Sequence, residues 1–283
     1  MITFFTAPKA MTGATGRLQR NAIGSWRLVD DDAQVVLVGD DDGVAEAAAE
    51  LGVEHVGGVP PNERGTPRLD AVFDAARGVA RHRLLCFVNA DIIFRPELAD
   101  AARVLDRSFP SFLAVGESWD APLEHALDLD GGWEADVAAA LGGARRRGAG
   151  ALDFFLFTDD LFRELPPFAI GRVGFDNWLV WRASAEGVAV VDVTGAVRPL
   201  HQRHGYAHLK GGRDATRHES PEGRRNRELA RAGGGQVFTR YDATHLLTRR
   251  GARRNLLSVL RLKERARKAA YRVRQLTPWP PRT

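Results

Sequence analysis

Residues 84–94 read Leu84-Leu85-Cys86-Phe87-Val88-Asn89-Ala90-Asp91-Ile92-Ile93-Phe94. An apolar run of this kind, ended by polar residues, is typical of a buried strand. The strand would deliver Asn89 and Asp91 at its carboxyl end, where the chain then continues with apolar residues. A carboxylate in such a place can bind a hard divalent cation. It can equally form an Asx turn or cap the helix that follows.

Strand-like and helix-like segments alternate on the amino-terminal side of this stretch. The predicted strands are Ile2–Thr6, Ala33–Gly39, Val53–Val56 and Arg83–Val88, and the predicted helices are Gly16–Leu28, Val44–Leu51 and Pro67–Ala80. This alternation predicts an α/β fold with a mostly parallel sheet flanked by helices. Ligands of such sheets bind at the carboxyl ends of the strands, so the site is expected at that edge.

The second half of the chain is less regular. Residues 119–147 are a polar stretch broken by glycines, which we interpret as an excursion that carries substrate contacts. We predict a helix at Phe175–Gly187 and strands at Asp153–Thr158 and Val188–Val193. Three domains follow from these patterns: a catalytic domain over 1–210, an irregular Gly/Arg-rich segment over 211–248 and a basic amphipathic helical tail over 249–283.

The composition is that of an ordinary globular protein. The 283 residues are 44% hydrophobic and 27% charged, which excludes a disordered or low-complexity chain. The single cysteine, Cys86, cannot form an internal disulfide, which favours a reducing compartment. The first residues lack a basic leader, and no long uncharged apolar run is found, so we expect a cytoplasmic protein.

The basic charge is concentrated near the carboxyl terminus. Residues 249–274 contain eleven Lys or Arg and one acid, Glu264, although the whole chain has a net charge of only +4. Leucines at helical spacing among these arginines predict a cationic amphipathic helix. Such a helix can attach peripherally to the inner face of a membrane, bind nucleic acid or a partner, or pack on the catalytic domain. Because the rest of the chain is acidic, we do not expect a protein organised around nucleic acid.

Two features of the sequence resemble known glycosyltransferases. The order of the elements, with Asn89-Ala90-Asp91 at a strand end, resembles the GT-A fold of nucleotide-sugar glycosyltransferases over approximately residues 1–210. The stretch Pro166-Pro167-Phe168-Ala169-Ile170-Gly171-Arg172-Val173-Gly174-Phe175-Asp176-Asn177-Trp178 resembles a segment of predicted bacterial glycosyltransferases. The resemblance implies a hexosyltransferase-type enzyme that uses a UDP- or GDP-type sugar donor, a hydroxyl acceptor, and Mn²⁺ or Mg²⁺.

A metal site is the first group of residues that the resemblance implies. An Asp-x-Asp-type motif holds the metal in that family, and a histidine after the last strand commonly completes the site. Here Asp91 matches the second acid, while Asn89 replaces the first, and His201 and His204 are the candidate imidazole ligands. On spacing alone, His201, His204 and His208 could instead hold a zinc ion by themselves.

The donor site and the sugar site are implied in the same way. The residues expected to contact the nucleotide or diphosphate are Thr6, Ala7, Pro8, Asp40, Arg68, Asn89 and Asp91. Those expected near the sugar or acceptor are Trp119, Asp120, Asp153 and Asn177. Taken alone, Asp40 also fits a solvated turn, the segment around Arg68 fits an ordinary helix start, and Trp119 fits a core position.

Asp176 and Arg172 are the candidate catalytic residues. In many GT-A enzymes an acid at this position is the base that takes the proton of the acceptor hydroxyl. For an inverting reaction Asp176 would have that role, and for a retaining one it would position substrate or stabilise the developing oxocarbenium. Asp176 could also simply cap its helix. Arg172 could pair with the diphosphate or with Asp176.

Two other functions remain open from the sequence. A sugar-phosphate nucleotidyltransferase shares the sheet topology but needs a Gly-rich basic loop after the first strand, to which residues 7–17 are only loosely similar. A non-catalytic module that binds nucleic acid or membrane through residues 249–274 is the other alternative.

Overall fold

The protein is described here by a computed structural model over residues 1–204, 220–235 and 237–256. The strands are β1 (Ile2–Thr6), β2 (Gln34–Val38), β3 (Glu54–Val56), β4 (Leu84–Val88), β5 (Ile92–Ile93), β6 (Phe112–Val115), β7 (Trp119–Ala121), β8 (Arg145–Arg146), β9 (Phe154–Thr158), β10 (Ala189–Asp192), β11 (Leu200–Gln202), β12 (His245–Thr248) and β13 (Gly251–Arg254). The helices are α1 (Gly13–Arg27), α2 (Val44–Leu51), α3 (Leu69–Val79), α4 (Glu97–Ser108), α5 (Trp133–Gly142), α6 (Phe175–Ala185) and α7 (Pro221–Ala232).

The larger sheet has the predicted mostly parallel arrangement. Within the described ranges it has nine strands in the order β13-β12-β10-β6-β9-β4-β1-β2-β3. Strand β9 runs antiparallel to both of its neighbours, β4 and β6, and β13 runs antiparallel to β12. The α/β fold and the strands and helices expected in the first half of the chain are confirmed, with bounds that differ by a few residues.

A smaller second sheet brings distant parts of the chain together. In the part of the chain that the structure describes, it contains four strands in the order β5-β11-β7-β8. Strand β11 pairs antiparallel with β5 and parallel with β7, so that His201 lies opposite Ile92 on one side and Asp120 on the other. This sheet therefore carries three of the predicted site segments.

The core lies on both faces of the larger sheet because its strands are buried on both sides. Helices α1, α2, α4 and α5 contribute to the cluster on one face, where the fully buried Trp26 donates its Nε1–H to the carbonyl oxygen of Ile92 at 2.7 Å. Helices α3 and α6 contribute to the other face, where Phe73 stacks on Phe157 with ring centroids 5.6 Å apart.

Two parts of the chain differ from the sequence-based expectation. The excursion over 119–147 contains β7, α5 and β8, which the glycines obscured in the sequence. Strands β12 and β13 extend the larger sheet beyond residue 210, and residues 251–254 form a strand where the basic helical tail was predicted to have begun. Residues 257–283, which contain most of that tail, lie outside the described residues, as does His208. The division into three domains stays a prediction.

No helix among the described residues has both the length and the apolar character that crossing a membrane requires.

Helix α7 is fastened to the segment that leads into α6. The side chain of Asn226 is fully buried, and its amide both accepts from the backbone N–H of Ala169 at 2.9 Å and donates to the carbonyl oxygen of the same residue at 3.0 Å. It also lies 3.3 Å from the carbonyl oxygen of Val173. One side chain thus fixes the backbone that carries the predicted catalytic segment.

Replacing Asn226 with alanine should lower the free energy of unfolding by about 2–4 kcal/mol, since it leaves the buried backbone groups of Ala169 without partners. Urea denaturation measures this value. The neighbouring exposed variant Arg225→Ala is the control and should change it by less than about 0.5 kcal/mol. An equal loss in both variants would contradict the assigned role of Asn226.

Candidate active site

Asp91 lies at the carboxyl end of β4, where a turn redirects the chain. Ile92 N–H donates to the carbonyl oxygen of Asn89 at 3.1 Å, which closes the turn before β5. The Asn89 N–H continues the strand ladder by donating to the carbonyl oxygen of Asp153 at 2.9 Å. The apolar residues on both sides of the turn are buried, so the Asp91 carboxylate is held at the edge of the core rather than in open solvent.

Two imidazoles converge on this carboxylate. His204 Nε2 lies 2.8 Å from Asp91 Oδ2, and His201 Nε2 lies 3.5 Å from the same oxygen. One potential ligand atom from each of the three residues lies within 4.8 Å of the others. The pairing of β11 with β5 explains the approach, because it places His201 beside the residue that follows Asp91.

Asp120 orients the His201 ring. Its Oδ1 lies 2.8 Å from His201 Nδ1, while its Oδ2 accepts from Arg203 Nε at 2.7 Å. A carboxylate on one ring nitrogen fixes the tautomer and leaves the other nitrogen directed at a ligand. The sequence associated Asp120 with sugar or acceptor, whereas its contacts in the structure are with the His201 ring and Arg203.

The charges of this group favour an ionised carboxylate. Burial alone would raise the pKa of Asp91, but hydrogen bonds and positive charge from His201 and His204 outweigh it and hold the pKa well below its usual value. Burial likewise acts to lower the pKa of His201, and Asp91 raises it on balance. Asp91 and His201 therefore each stabilise the charged form of the other.

The residues fit a divalent metal. Asp91 Oδ1 is buried and has no hydrogen-bond partner among the described residues, which is costly for a carboxylate oxygen unless a cation binds it. Two imidazoles and one carboxylate suit Mn²⁺ and other transition metals better than they suit Mg²⁺, which prefers ligands that are all oxygen. Because Asp120 holds the Nδ1 atom of His201, the Nε2 atom of His201 is available as a ligand.

Asp153 forms the centre of an adjoining polar cluster. Its buried carboxylate accepts hydrogen bonds from Asn89 Nδ2 at 3.2 Å, from Arg147 Nη1 at 3.3 Å and from the Ser118 hydroxyl. Asp153 acts electrostatically on both the His201 imidazole and the Asp176 carboxylate. It thereby connects the candidate metal ligands with the candidate base.

Asp176 lies in the first turn of α6. Its Oδ1 accepts from the backbone N–H of Asn177 at 2.8 Å and of Gly174 at 3.3 Å, while its Oδ2 has no hydrogen-bond partner within the described ranges. Burial raises the pKa of Asp176 to about 6, against the effect of these hydrogen bonds and with help from the negative charge of Asp153. The residue thus caps its helix with one oxygen and offers the other as a proton acceptor.

The two predicted arginines already have acidic partners. Arg172 Nε donates to Glu222 Oε2 of α7 at 2.7 Å, and its Nη2 lies 3.4 Å from the Thr66 hydroxyl. Arg172 therefore pairs with Glu222 and not with Asp176, and its predicted contact with the diphosphate stays a prediction. Arg68 precedes α3 and donates through Nε to Asp70 at 3.2 Å.

The predicted donor residues lie along one edge of the sheet. Thr6 ends β1 and is buried, Ala7 and Pro8 follow it, and Asp40 follows β2. Asp40 is exposed, and its Oδ2 accepts from Gly58 N–H at 2.7 Å. A side chain at Gly57 would meet Asp40 Oδ1 at 2.4 Å, so glycine permits this close approach.

Two predicted sugar residues have other contacts in the structure. The Trp119 ring lies near two guanidinium groups, with Arg198 5.2 Å and Arg146 5.6 Å from its centroid. Asn177 Nδ2 donates to the carbonyl oxygen of Phe238 at 2.6 Å, which ties α6 to the chain beyond α7. Their predicted contacts with sugar stay predictions.

Sequence reasoning missed several residues around the site, namely Lys9, Ser118, Arg147 and Glu222. Lys9 directly follows the predicted donor residues Thr6, Ala7 and Pro8, and this position in the sequence could have indicated that it belongs to the site. Nothing local to Glu222 indicates that it would reach Arg172, because its contact depends on how α7 packs.

No protein-family model and no curated protein matches the chain. Among solved structures it is similar to glucosyl-3-phosphoglycerate synthase from Mycobacterium tuberculosis in complex with Mg²⁺ and uridine-diphosphate, at 15% identity over 72% of each chain with a TM-score of 0.46. It is also similar to a mannosyltransferase from Pyrobaculum calidifontis in complex with GDP-Man and Mn²⁺, at 13% identity over 73% of this chain and 58% of that one, with a TM-score of 0.48.

A third similar structure is a fragment of S. aureus TarS, at 17% identity over 42% of this chain and 36% of that one, with a TM-score of 0.33. The match thus spans less than two thirds of the TarS fragment and of the mannosyltransferase. The architecture that the GT-A resemblance implied, a mostly parallel sheet flanked by helices, is the one that the chain has.

Mn²⁺ titration by calorimetry should detect one site in the parent protein and none in Asp91→Asn. Asp120→Asn should weaken binding by roughly 10- to 100-fold, because the His201 ring loses the carboxylate that orients it. Asp136 makes a similar contact with His125 at the surface, 3.1 Å apart, so Asp136→Asn is a matched control that should bind as the parent does. Undiminished binding by Asp91→Asn would contradict the assignment.

The raised pKa of Asp176 makes stability depend on pH. Its pKa of about 6 in the folded protein exceeds the ordinary 3.8, so folding favours the protonated carboxyl. The resulting contribution to the free energy of unfolding is fully present below about pH 4 and is lost as the pH rises through about 6. Asp176→Asn stays neutral and keeps an acceptor oxygen. From pH 4 to pH 7, its unfolding free energy relative to the parent should therefore rise by about 1–3 kcal/mol in urea denaturation.

The exposed α4 residue Asp100 provides the control for this experiment, since Asp100→Asn should give a clearly smaller change over the same pH range. A relative stability of Asp176→Asn that is the same at both pH values would show that the carboxylate is not perturbed.

Proposed function

We propose that the chain is a metal-assisted glycosyltransferase that moves a sugar from a nucleoside-diphosphate donor to a hydroxyl acceptor. The observation that carries the proposal is the convergence of His201 and His204 on Asp91, together with the electrostatic effect of Asp153 on both His201 and Asp176. One region thus combines candidate ligands for a cation with a carboxylate suited to accept a proton near neutral pH.

The two acids of this site suit different tasks. Asp91 is held ionised by its imidazole neighbours, as a metal ligand must be. Asp176 has a pKa of about 6, so it is largely ionised at neutral pH and still basic enough to accept a proton. Opposite environments for two carboxylates are a common basis for dividing roles between them.

In the proposed reaction, Asp176 Oδ2 accepts the proton of the acceptor hydroxyl. The hydroxyl oxygen forms a bond to the anomeric carbon of the donor sugar as the bond from that carbon to the diphosphate oxygen breaks, and the electron pair of the broken bond leaves with the diphosphate. Transfer by this route inverts the anomeric centre. Asp176 Oδ1 stays hydrogen-bonded to the α6 backbone, which keeps the carboxylate oriented.

The leaving diphosphate gains negative charge as the bond breaks. A divalent ion held by Asp91, His201 and His204 would supply positive charge next to the leaving group. The buried Asn89–Asp153–Ser118 cluster beside it keeps polar groups fixed, so that they need not reorganise during the reaction.

Several finer features belong to the proposal. The donor is of the UDP or GDP type, the sugar is a hexose, and the metal is Mn²⁺ in preference to Mg²⁺ because of the two imidazoles. We also propose a cytoplasmic protein that contacts the inner membrane face through residues 249–274, whose basic charge suits an anionic surface.

A thermal-unfolding screen of UDP, GDP and ADP with and without Mn²⁺ tests the proposal. A nucleoside diphosphate that binds the folded state should raise the unfolding temperature by mass action, and should do so more with Mn²⁺ present. If no diphosphate changes the unfolding temperature of the parent in either condition, the proposed function is wrong.

Asp176→Asn should lower the turnover of the donor by roughly 10²- to 10⁴-fold while its affinity for the nucleoside diphosphate stays close to that of the parent. The parent rate should rise with pH through about 6, where Asp176 ionises. Asp100→Asn should retain parent turnover. A variant at position 176 with undiminished turnover would exclude the residue as the base.

A further inference from the structure

The loop between β1 and α1 crosses the carboxyl edge of the sheet and is anchored by a buried glutamine. Gln19 of α1 is 4% exposed, and its side-chain amide binds both backbone groups of Lys9. Lys9 N–H donates to Gln19 Oε1 at 2.8 Å, and Gln19 Nε2 donates to the carbonyl oxygen of Lys9 at 2.9 Å. The backbone position of Lys9 is therefore fixed from within the core.

The same loop is fixed again two residues later. Met11 N–H donates to the carbonyl oxygen of Asp42 at 2.7 Å, and the Met11 carbonyl oxygen accepts from Arg20 Nη1 at 2.8 Å. Helix α1 packs so closely that a Cβ atom at Gly16 would lie 2.3 Å from that carbonyl oxygen. The backbone of this loop is therefore preorganised, with little backbone ordering left to occur on binding.

Lys9 lies at the same edge of the sheet as the candidate active site. Strand β1 lies beside β4 in the sheet, with Phe5 paired to Phe87, so the residues after the two strands lie at the same edge. Lys9 as a whole is exposed, but burial of its ammonium group lowers its pKa, and the Asp91 carboxylate and Arg172 guanidinium also act on it. The ammonium thus lies within electrostatic range of a candidate metal ligand and of Arg172.

The two arginines predicted for this edge each form an ion pair with an acid. Arg172 pairs with Glu222, and Arg68 pairs with Asp70. A carboxylate partner reduces the positive charge that an arginine can offer to an anion. Asp91 is among the groups that act electrostatically on Lys9, and a bound divalent ion would neutralise the charge of Asp91.

We propose that the Lys9 ammonium binds the diphosphate of the donor, next to the group formed by Asp91, His201 and His204. This proposal rests on the proposed function and adds a residue to it. Lys9 would supply positive charge on the protein side of the leaving group, and the hydrogen bonds from Gln19 would hold it there before the donor arrives.

Calorimetric titration of the parent and of Lys9→Met with UDP, GDP, uridine and guanosine at saturating Mn²⁺ tests this assignment. Loss of a charge-assisted hydrogen bond should weaken binding of the diphosphate that the parent prefers by about 10- to 100-fold. Binding of the corresponding nucleoside, which lacks phosphate, should change by less than about twofold. Lys9→Arg should recover part of the diphosphate affinity, because it restores a cation.

Mn²⁺ titration without nucleotide separates this role from an indirect one. Lys9→Met should bind Mn²⁺ at least as tightly as the parent, since a positive charge near Asp91 has been removed. Weaker Mn²⁺ binding would overturn the proposal, because Lys9 would then act through the metal ligands. Equal loss of nucleoside and diphosphate affinity would also overturn it.

The exposed Arg163, which follows β9 at the opposite edge of the sheet, gives the control variant Arg163→Ala, expected to bind all four compounds as the parent does. If the parent binds a diphosphate and Lys9→Met binds it equally well, the Lys9 assignment is wrong while the proposed function stands. If the parent binds neither UDP nor GDP, the proposed function fails and this assignment fails with it.

Discussion

The Asp91 carboxylate is half-buried at the point where β4 turns into β5. Its Oδ2 faces two imidazoles, and its buried Oδ1 has no hydrogen-bond partner in the described part of the chain. An ionised carboxylate in this position is unfavourable unless positive charge compensates it. The elements around it are arranged accordingly, since β11 brings His201 against Asp91 and β7 brings Asp120 against the far side of the ring. Each of these contacts is satisfied only if the smaller sheet forms.

A buried ion network supports the other side of the site. Glu117, which is 3% exposed, accepts from Gly148 N–H at 2.7 Å and pairs with Arg240 at 2.9 Å, and Arg240 in turn pairs with Asp192 at 2.8 Å. This network fixes the backbone next to Arg147, the residue that reaches Asp153. An arrangement that separated these partners would leave a buried charge unpaired, which is costly. The network therefore keeps the neighbouring groups in one fixed arrangement.

The chemistry proposed for the site depends on a difference in pKa between two carboxylates. Asp91 has cationic neighbours and stays ionised, whereas Asp176 is buried beside the negative charge of Asp153 and has a pKa of about 6. The difference arises from surroundings and not from residue type, because both are aspartates at the ends of apolar segments. A metal ligand and a proton acceptor can therefore belong to one site without competing for the same proton.

The sequence by itself determined the alternation of strands and helices up to β4 and the location of Asp91 at a strand end, because apolar periodicity is local. It also placed Asp176 at the start of α6. It could not determine the strands within residues 119–147 or the sheet extension by β12 and β13, since short strands depend on pairing with partners far along the chain.

Only the tertiary structure decided which side chains meet. The partner of Arg172 is Glu222, 50 residues away, and Asp120 contacts His201, 81 residues away. Such pairs depend on strand register and helix packing, and a one-residue slip in β11 would turn His201 away from Asp91. The sequence thus predicted which carboxylates and imidazoles belong to the candidate site. Their distances, burial and resulting pKa values are set only when the sheets form.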